Sequence, residues 1–325
     1  MKPTILSLSA AFLFATAGIA QAASPNVVVS IKPIHSLVAS VMKGVGEPTL
    51  IVEGAASPHT YSLKPSNAAA LQDADIVFWV GHGLEAFLAK PLEALGNEAI
   101  VVELEDAPGL EKLSFRAGGP FEQHSDEQHE DTDRHDIADA HGSEDAHEHA
   151  HEGADTHIWL NPVNAKALAA AIESTLSAAD PSNAPTYEAN LAALNQSIDA
   201  LDREIAETLT PVKDKPFIVF HDAYQYFEHR YGMRVAGSIT VSPETTPGAE
   251  RISQIRQKVT ELGAACVFAE PQFEPKLVNV VLEGTTAKSG VLDPEGATLA
   301  EGPNLYTELM RAMAASMRQC LGSGG

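Results

Sequence analysis

Seven of the thirteen histidines in this 325-residue chain lie close together: His124, His129, His135, His141, His147, His149 and His151. The stretch from Phe121 to Asp155 interleaves them with thirteen Asp or Glu and one arginine, Arg134. Neutral imidazole and carboxylate are both ligands for zinc-like cations, so this tract is expected to bind such metals weakly and in many arrangements. Its only larger apolar residue between those ends is Ile137, too little to offset the entropy of ordering, and residues 121–155 therefore read as a mobile loop. Then the character changes. In Asp155-Thr156-His157-Ile158-Trp159-Leu160-Asn161-Pro162 a single histidine sits in an apolar context.

Three further positions repeat that arrangement, each a ligand-type residue delivered by a short apolar strand or a turn. His59 follows the run Thr49–Val52 through a Pro-containing turn, His221 ends Phe217-Ile218-Val219-Phe220, and Asp293 ends Gly290-Val291-Leu292. Brought together, three imidazoles with a carboxylate or a water make a four-coordinate zinc site. Separations this large carry no spacing signature, and each residue has a plainer reading: a surface histidine at 59, a satisfied core histidine at 221, a turn at Asp293-Pro294. His35 suits packing or a supporting hydrogen bond better than ligation, while His82 reads as a turn residue between glycines and His229 as an exposed helical residue. Trp159 and Phe220 would shield the site from water, a role that any core aromatic also fills. His147-Glu148-His149-Ala150-His151 matches the His-Glu-x-x-His pattern of zinc proteases but lies in an acidic tract with no apolar helical face to align it. Nucleophile-elbow, phosphate-loop and dinucleotide patterns are absent.

The elements that must position these residues alternate. Short continuous apolar runs at Val27–Ile31, Thr49–Val52, Ile76–Val80 and Ile100–Leu104 are separated by helical segments at 33–42, 66–71 and 84–95. That is the pattern of a parallel sheet covered on both faces. After His157 comes an alanine-rich helix, 163–179. From Tyr187 to Leu209 the apolar positions Leu191, Leu194, Ile198, Leu201, Ile205 and Leu209 fall at helical spacing. This long helix suits a rigid connector. The alternation then restarts, with strands at 217–220, 235–241, 265–269 and 291–292, and helices at 222–230, 247–262, 276–283 and 305–320. The expected fold is α/β: an N-terminal lobe over 23–182, a connecting helix over 183–210 and a C-terminal lobe over 211–325. A ligand would sit between the lobes, at the carboxyl ends of the strands.

Lys2, the apolar run Ile5–Ala20 and the small-x-small sequence Ala20-Gln21-Ala22 read as a secretory signal peptide over residues 1–22, so export is expected. No later stretch reaches membrane length, and stable membrane insertion is not expected. The formal net charge of -23 argues against nucleic acid and anionic membranes and is compatible with attracting cations. The two cysteines, Cys266 and Cys320, most simply pair in an oxidising compartment, a link of roughly 4 kcal/mol on a chain-entropy basis.

Taken in order, several segments carry a resemblance. They are Ile31-Lys32-Pro33-Ile34-His35-Ser36, Ser57-Pro58-His59-Thr60-Tyr61-Ser62-Leu63-Lys64-Pro65-Ser66, His157-Ile158-Trp159-Leu160-Asn161-Pro162, Phe220-His221-Asp222-Ala223-Tyr224 and Leu292-Asp293-Pro294. With the cysteine pair and the acidic histidine-rich insertion, they make the chain resemble the periplasmic zinc-binding components of ABC importers, in the metal-binding cluster with a rigid helical backbone. The resemblance covers essentially the whole mature chain and implies zinc ligands at His59, His157 and His221. Manganese-type relatives tend to carry a carboxylate at the third of these positions. Some zinc members place a glutamate before the first histidine, where this chain has Pro58, which leaves Asp293 or a water as fourth ligand, with Asp293 favoured. The Cys266–Cys320 pair matches the disulfide of several zinc members.

The expectation is therefore periplasmic capture of Zn²⁺ by a monomer, without catalysis, and delivery to the membrane permease of an ABC importer. The histidine-rich loop would bind further metal weakly. The alternatives are a manganese or iron component of the same fold, a secreted zinc hydrolase, and a zinc buffer or adhesin without transport.

Overall fold

A computed structural model describes residues 24–95, 98–116, 121, 153–240, 243 and 247–322. The signal-peptide reading and all seven loop histidines fall outside the described residues, as does the His147–His151 pattern.

Two four-stranded parallel sheets form, one from each half of the chain. In the first, β1 (Val27–Val29) pairs with β2 (Thr49–Leu50) and β3 (Ile76–Trp79), and β3 pairs with β4 (Ile100–Glu103), giving the order β2-β1-β3-β4. In the second, β5 (Phe217–His221), β6 (Val235–Thr240), β7 (Cys266–Ala269) and β8 (Lys288–Val291) run in the equivalent order β6-β5-β7-β8. Apart from His221 at the end of β5, the central strands are apolar along their length because helices cover both faces; every residue of β1, β3, β5 and β7 is buried. The edge strand β4 leaves Ile100 and Val101 exposed.

The covering helices are α1 (Lys32–Val41), α2 (Pro65–Gln72), α3 (Ala86–Leu95) and α4 (Pro162–Ala179) in the first half, then α5 (Ala184–Leu209). The second half adds α6 (Gln225–Tyr231), α7 (Ala249–Glu261), α8 (Lys276–Leu282) and α9 (Leu305–Gly322). The long periodic run is indeed one helix, starting three residues before Tyr187 and spanning about 39 Å at 1.5 Å per residue. Its stripe Tyr187, Leu194, Ile198, Leu201, Ile205 and Leu209 is buried in a core cluster that draws on both sheets, α1, α4 and α9. Polar contacts fix it to both halves. Asn190 Nδ2 donates to the carbonyls of Val41 and Lys43 behind α1, while Asp202 pairs with Arg230 and Glu204 with Arg311. A smaller core packs β6, α7 and α8 against the outer part of the second sheet.

Cys266 in β7 and Cys320 in α9 form a disulfide that ties the last helix to the second sheet. Element ends differ from the sequence reading in one instructive place. The sequence reading starts α2 at residue 66, but the helix begins at Pro65, with Lys64 as its N-cap residue and Asn67 Oδ1 accepting from Lys64 N at 3.1 Å. Proline's fixed φ sets the first helical position, so the asparagine acts from three residues inside. Among the described residues no helix is long and apolar enough to cross a membrane.

Candidate metal centre

The carboxyl ends of both sheets face one another, and three histidines meet there. β2 leads through a turn into a single helical turn, Pro58–Thr60, which carries His59. His157 precedes another such turn, Ile158–Leu160, whose three apolar residues anchor in the core. His221 is the last residue of β5. The Nε2 atom of His157 lies 3.4 Å from Nε2 of His59 and 3.3 Å from Nε2 of His221. His157 and His221 are buried and His59 is half-buried. Among the described residues this is the single group of three or more His, Cys, Asp or Glu whose ligand atoms all lie within 4.8 Å of one another.

That spacing has a chemical meaning. Zn–N bonds of 2.0–2.1 Å in tetrahedral geometry separate ligand nitrogens by about 3.3–3.4 Å. A hydrogen-bonded imidazole pair would be nearer 3 Å.

Two of the three rings are oriented from behind by carboxylates. Asp155 Oδ1 lies 2.7 Å from His157 Nδ1 and also accepts from the His157 backbone N–H at 3.0 Å. Both oxygens of Glu270, the residue after β7, lie 2.7 Å from His221 Nδ1. A carboxylate accepting from Nδ1–H leaves the Nε2 lone pair directed at the metal position and makes the ring more basic toward it. Glu270 is buried, and burial pushes its carboxyl up to about 8, with the His221 backbone N–H, Tyr224 and the imidazoles of His157 and His59 pulling the other way. Aromatic rings wall the site: Trp159 lies 5.4 Å from His157, and Phe273, stacked on Phe220, lies 6.3 Å edge-on from His221.

Asp293, the carboxylate expected to join the histidines, does not belong to this cluster. Its Oδ1 accepts from Gln272 Nε2 at 2.9 Å and from the backbone N–H groups of Glu295 and Gly296 at 3.1 and 2.9 Å, closing its own turn ahead of the site. The other described histidines lie elsewhere. His35 is buried with Nε2 3.0 Å from the Pro48 carbonyl. His82 and His229 are exposed and sit beside Glu103 and Glu111.

Sequence reasoning left Asp155 and Glu270 without a role. Glu270 carries the same signal as His221, a polar residue directly after a buried apolar strand, and that signal was available. Asp155 closes the acidic tract, and nothing in its composition distinguishes it from the carboxylates before it.

The chain matches the profile of the family described as zinc-uptake complex component A, periplasmic, over residues 27–320. It is 56% identical over 329 residues to a high-affinity zinc uptake system protein of Brucella abortus (strain 2308), covering 97% of this chain and 98% of that protein. A protein of the same description from Paracoccus denitrificans (strain Pd 1222) is 40% identical, with 99% of each chain covered. Among solved structures, a ZnuA crystal structure superposes with a TM-score of 0.72 at 26% identity over 91% of this chain and 99% of that one. The periplasmic zinc-binding protein of Treponema pallidum reaches 0.74 at 19% identity over 92% and 99%, a likeness of fold alone.

Proposed function

We propose, from the premise that this chain belongs to the periplasmic zinc-uptake component A family, that it captures Zn²⁺ between its two lobes for uptake. It is a binding component and not an enzyme. The observation that carries the reading is the convergence of three histidines, with His157 Nε2 at 3.4 and 3.3 Å from Nε2 of His59 and of His221, and carboxylates behind two of the rings. His59, His157 and His221 are the proposed ligands, and zinc is the cargo. A water is proposed for the fourth position, because Asp293 is not in the group of ligand atoms that meet and its Oδ1 already accepts three hydrogen bonds. A neutral three-imidazole set favours zinc over manganese, which prefers oxygen ligands.

The family supports the place and the partner in the wider reading, and the sequence pattern supports the rest. The protein acts in the periplasm, as a monomer of two lobes (23–182 and 211–325) joined by the helix over 183–210, and passes zinc to the membrane permease of an ABC importer. The seven histidines between 124 and 151 are proposed as weaker, additional zinc ligands.

Calorimetric titration of the mature, metal-stripped protein tests this. One tight zinc event should disappear in His59→Ala, and weaker events should disappear on deleting residues 122–152 while the tight one remains. Tight binding that survives His59→Ala would refute the ligand set.

A further inference from the structure

The chain entering the histidine-rich insertion and the chain leaving it run side by side as a stem. Ser114 and Ala154 form an antiparallel bridge, Phe115 N–H donates to the Gly153 carbonyl at 2.7 Å, and Asp155 N–H donates to the Leu113 carbonyl at 2.8 Å. This stem belongs by sequence to the first lobe, yet helix α6 of the second lobe holds both its limbs. The Tyr226 hydroxyl accepts from Leu113 N–H at 3.0 Å and donates to the Asp155 carbonyl at 2.9 Å. Gln225 Nε2 donates to the Ser114 carbonyl at 3.0 Å.

Arg116, at the tip of the described entering limb, makes the strongest of these contacts. Its Nε donates to Asp222 Oδ2 at 3.0 Å, its Nη1 to Glu228 Oε2 at 2.6 Å, and its Nη2 to the other oxygen of Asp222. The Phe121 ring covers the guanidinium at 4.2 Å. Both carboxylates are buried, so a planar fork meeting one of them with two parallel bonds is a strong and directional tie. Its place matters more than its strength. Asp222 directly follows His221, and Asp155 on the opposite limb orients His157.

We infer that Arg116 is a positioning residue that latches the second lobe to the stem beside the metal centre and so sets how long zinc stays bound. The inference rests on the proposed three-histidine site. His59 and His157 come from the first lobe and His221 from the second, so zinc leaves by a path that separates His221 from the other two. The Arg116–Asp222 pair spans that same division and must break as the lobes part. Interactions broken on the way out are felt in the dissociation rate more than in association.

The test uses zinc-loaded full chain mixed with excess chromogenic chelator in a stopped-flow instrument. Arg116→Met should release zinc about tenfold faster or more, with association changed much less, and Arg116→Lys should fall between it and the wild type. A role confined to structural stability would lower the melting temperature of the metal-free protein and leave the release rate alone, which would overturn the latch. Arg116→Met combined with Asp222→Asn and Glu228→Gln removes the uncompensated buried charge. Release should stay fast in that triple variant, and a return to the wild-type rate would show that Arg116 only neutralises the carboxylates. His157→Ala separates the two levels: if it keeps tight zinc binding, the site assignment itself has failed.

Discussion

Replacing Asp155 by asparagine should weaken zinc binding about tenfold, and replacing it by alanine about a hundredfold. The side chain touches no metal position; it acts through His157. Its Oδ1 sits 2.7 Å from Nδ1 and 3.0 Å from the backbone nitrogen of the same histidine, in a buried setting. Asparagine keeps an oxygen able to accept both bonds and removes the charge. Hydrogen bonds to charged groups contribute about 1.5–3 kcal/mol against about 1 kcal/mol for neutral ones, a difference on the order of 1.4 kcal/mol, or one decade in affinity. Alanine removes the acceptor entirely, leaves two buried donors unpaired and frees the ring to adopt the wrong tautomer, which adds roughly a second decade. Asp155 Oδ2 has no hydrogen-bond partner among the described residues, so the asparagine amide placed there would lack an acceptor. Both variants should therefore also melt below the wild type when metal-free. Affinity is read by competition with a chelator of known zinc affinity at one fixed pH. Wild-type affinity in both variants would refute the claim that this carboxylate tunes the site. Equal losses in asparagine and alanine would refute the electrostatic part of it.

Replacing both Cys266 and Cys320 by serine should cost about 4 kcal/mol and lower the melting temperature by roughly 10 °C, read by scanning calorimetry with and without the link; an unchanged melting temperature would contradict the tie between β7 and α9. Glu85 gives a pH prediction. It is fully buried, with Ser30 Oγ and the backbone N–H groups of Val80 and Gly81 donating to it, and burial pushes its carboxyl from 4.5 up to about 7. Between those values the unfolded chain has released a proton that the folded chain still holds, so Glu85 lowers stability as pH rises across that window, by roughly 3 kcal/mol in all, and no further above it. Metal-free Glu85→Gln should lack that component, and a pH slope equal to the wild type's in denaturant melts would contradict it.

What was legible in the sequence was local. Short apolar runs bounded by turns identify the strands apart from β8, where the sequence suggests only 291–292 and the strand is the polar, largely exposed edge segment Lys288–Val291; the stripe from Leu194 to Leu209 identifies the long helix, because burial on two faces or on one leaves a pattern in the chain itself. The histidines are legible because each lies beside such a run: His221 ends one, His157 precedes one and His59 follows one through a turn. The supporting carboxylates were not, and two acids show why. Glu270-Pro271 follows the buried strand β7, and Asp293-Pro294 follows β8 by one residue, so in sequence the two look alike. The favoured choice, Asp293, turns back on its own backbone, as a short acid ahead of proline is suited to do. Glu270, one methylene longer, reaches His221. The strand order makes that reach possible: β7 lies beside β5, about 4.8 Å away, whereas β8 lies one strand further out, about 10 Å from β5. Arg116 was hidden by the same kind of fact, since Asp222 is 106 positions distant in the chain. Which acid serves a histidine is decided by which strand becomes its neighbour, and strand order is a property of the packed sheet that no single strand's sequence contains.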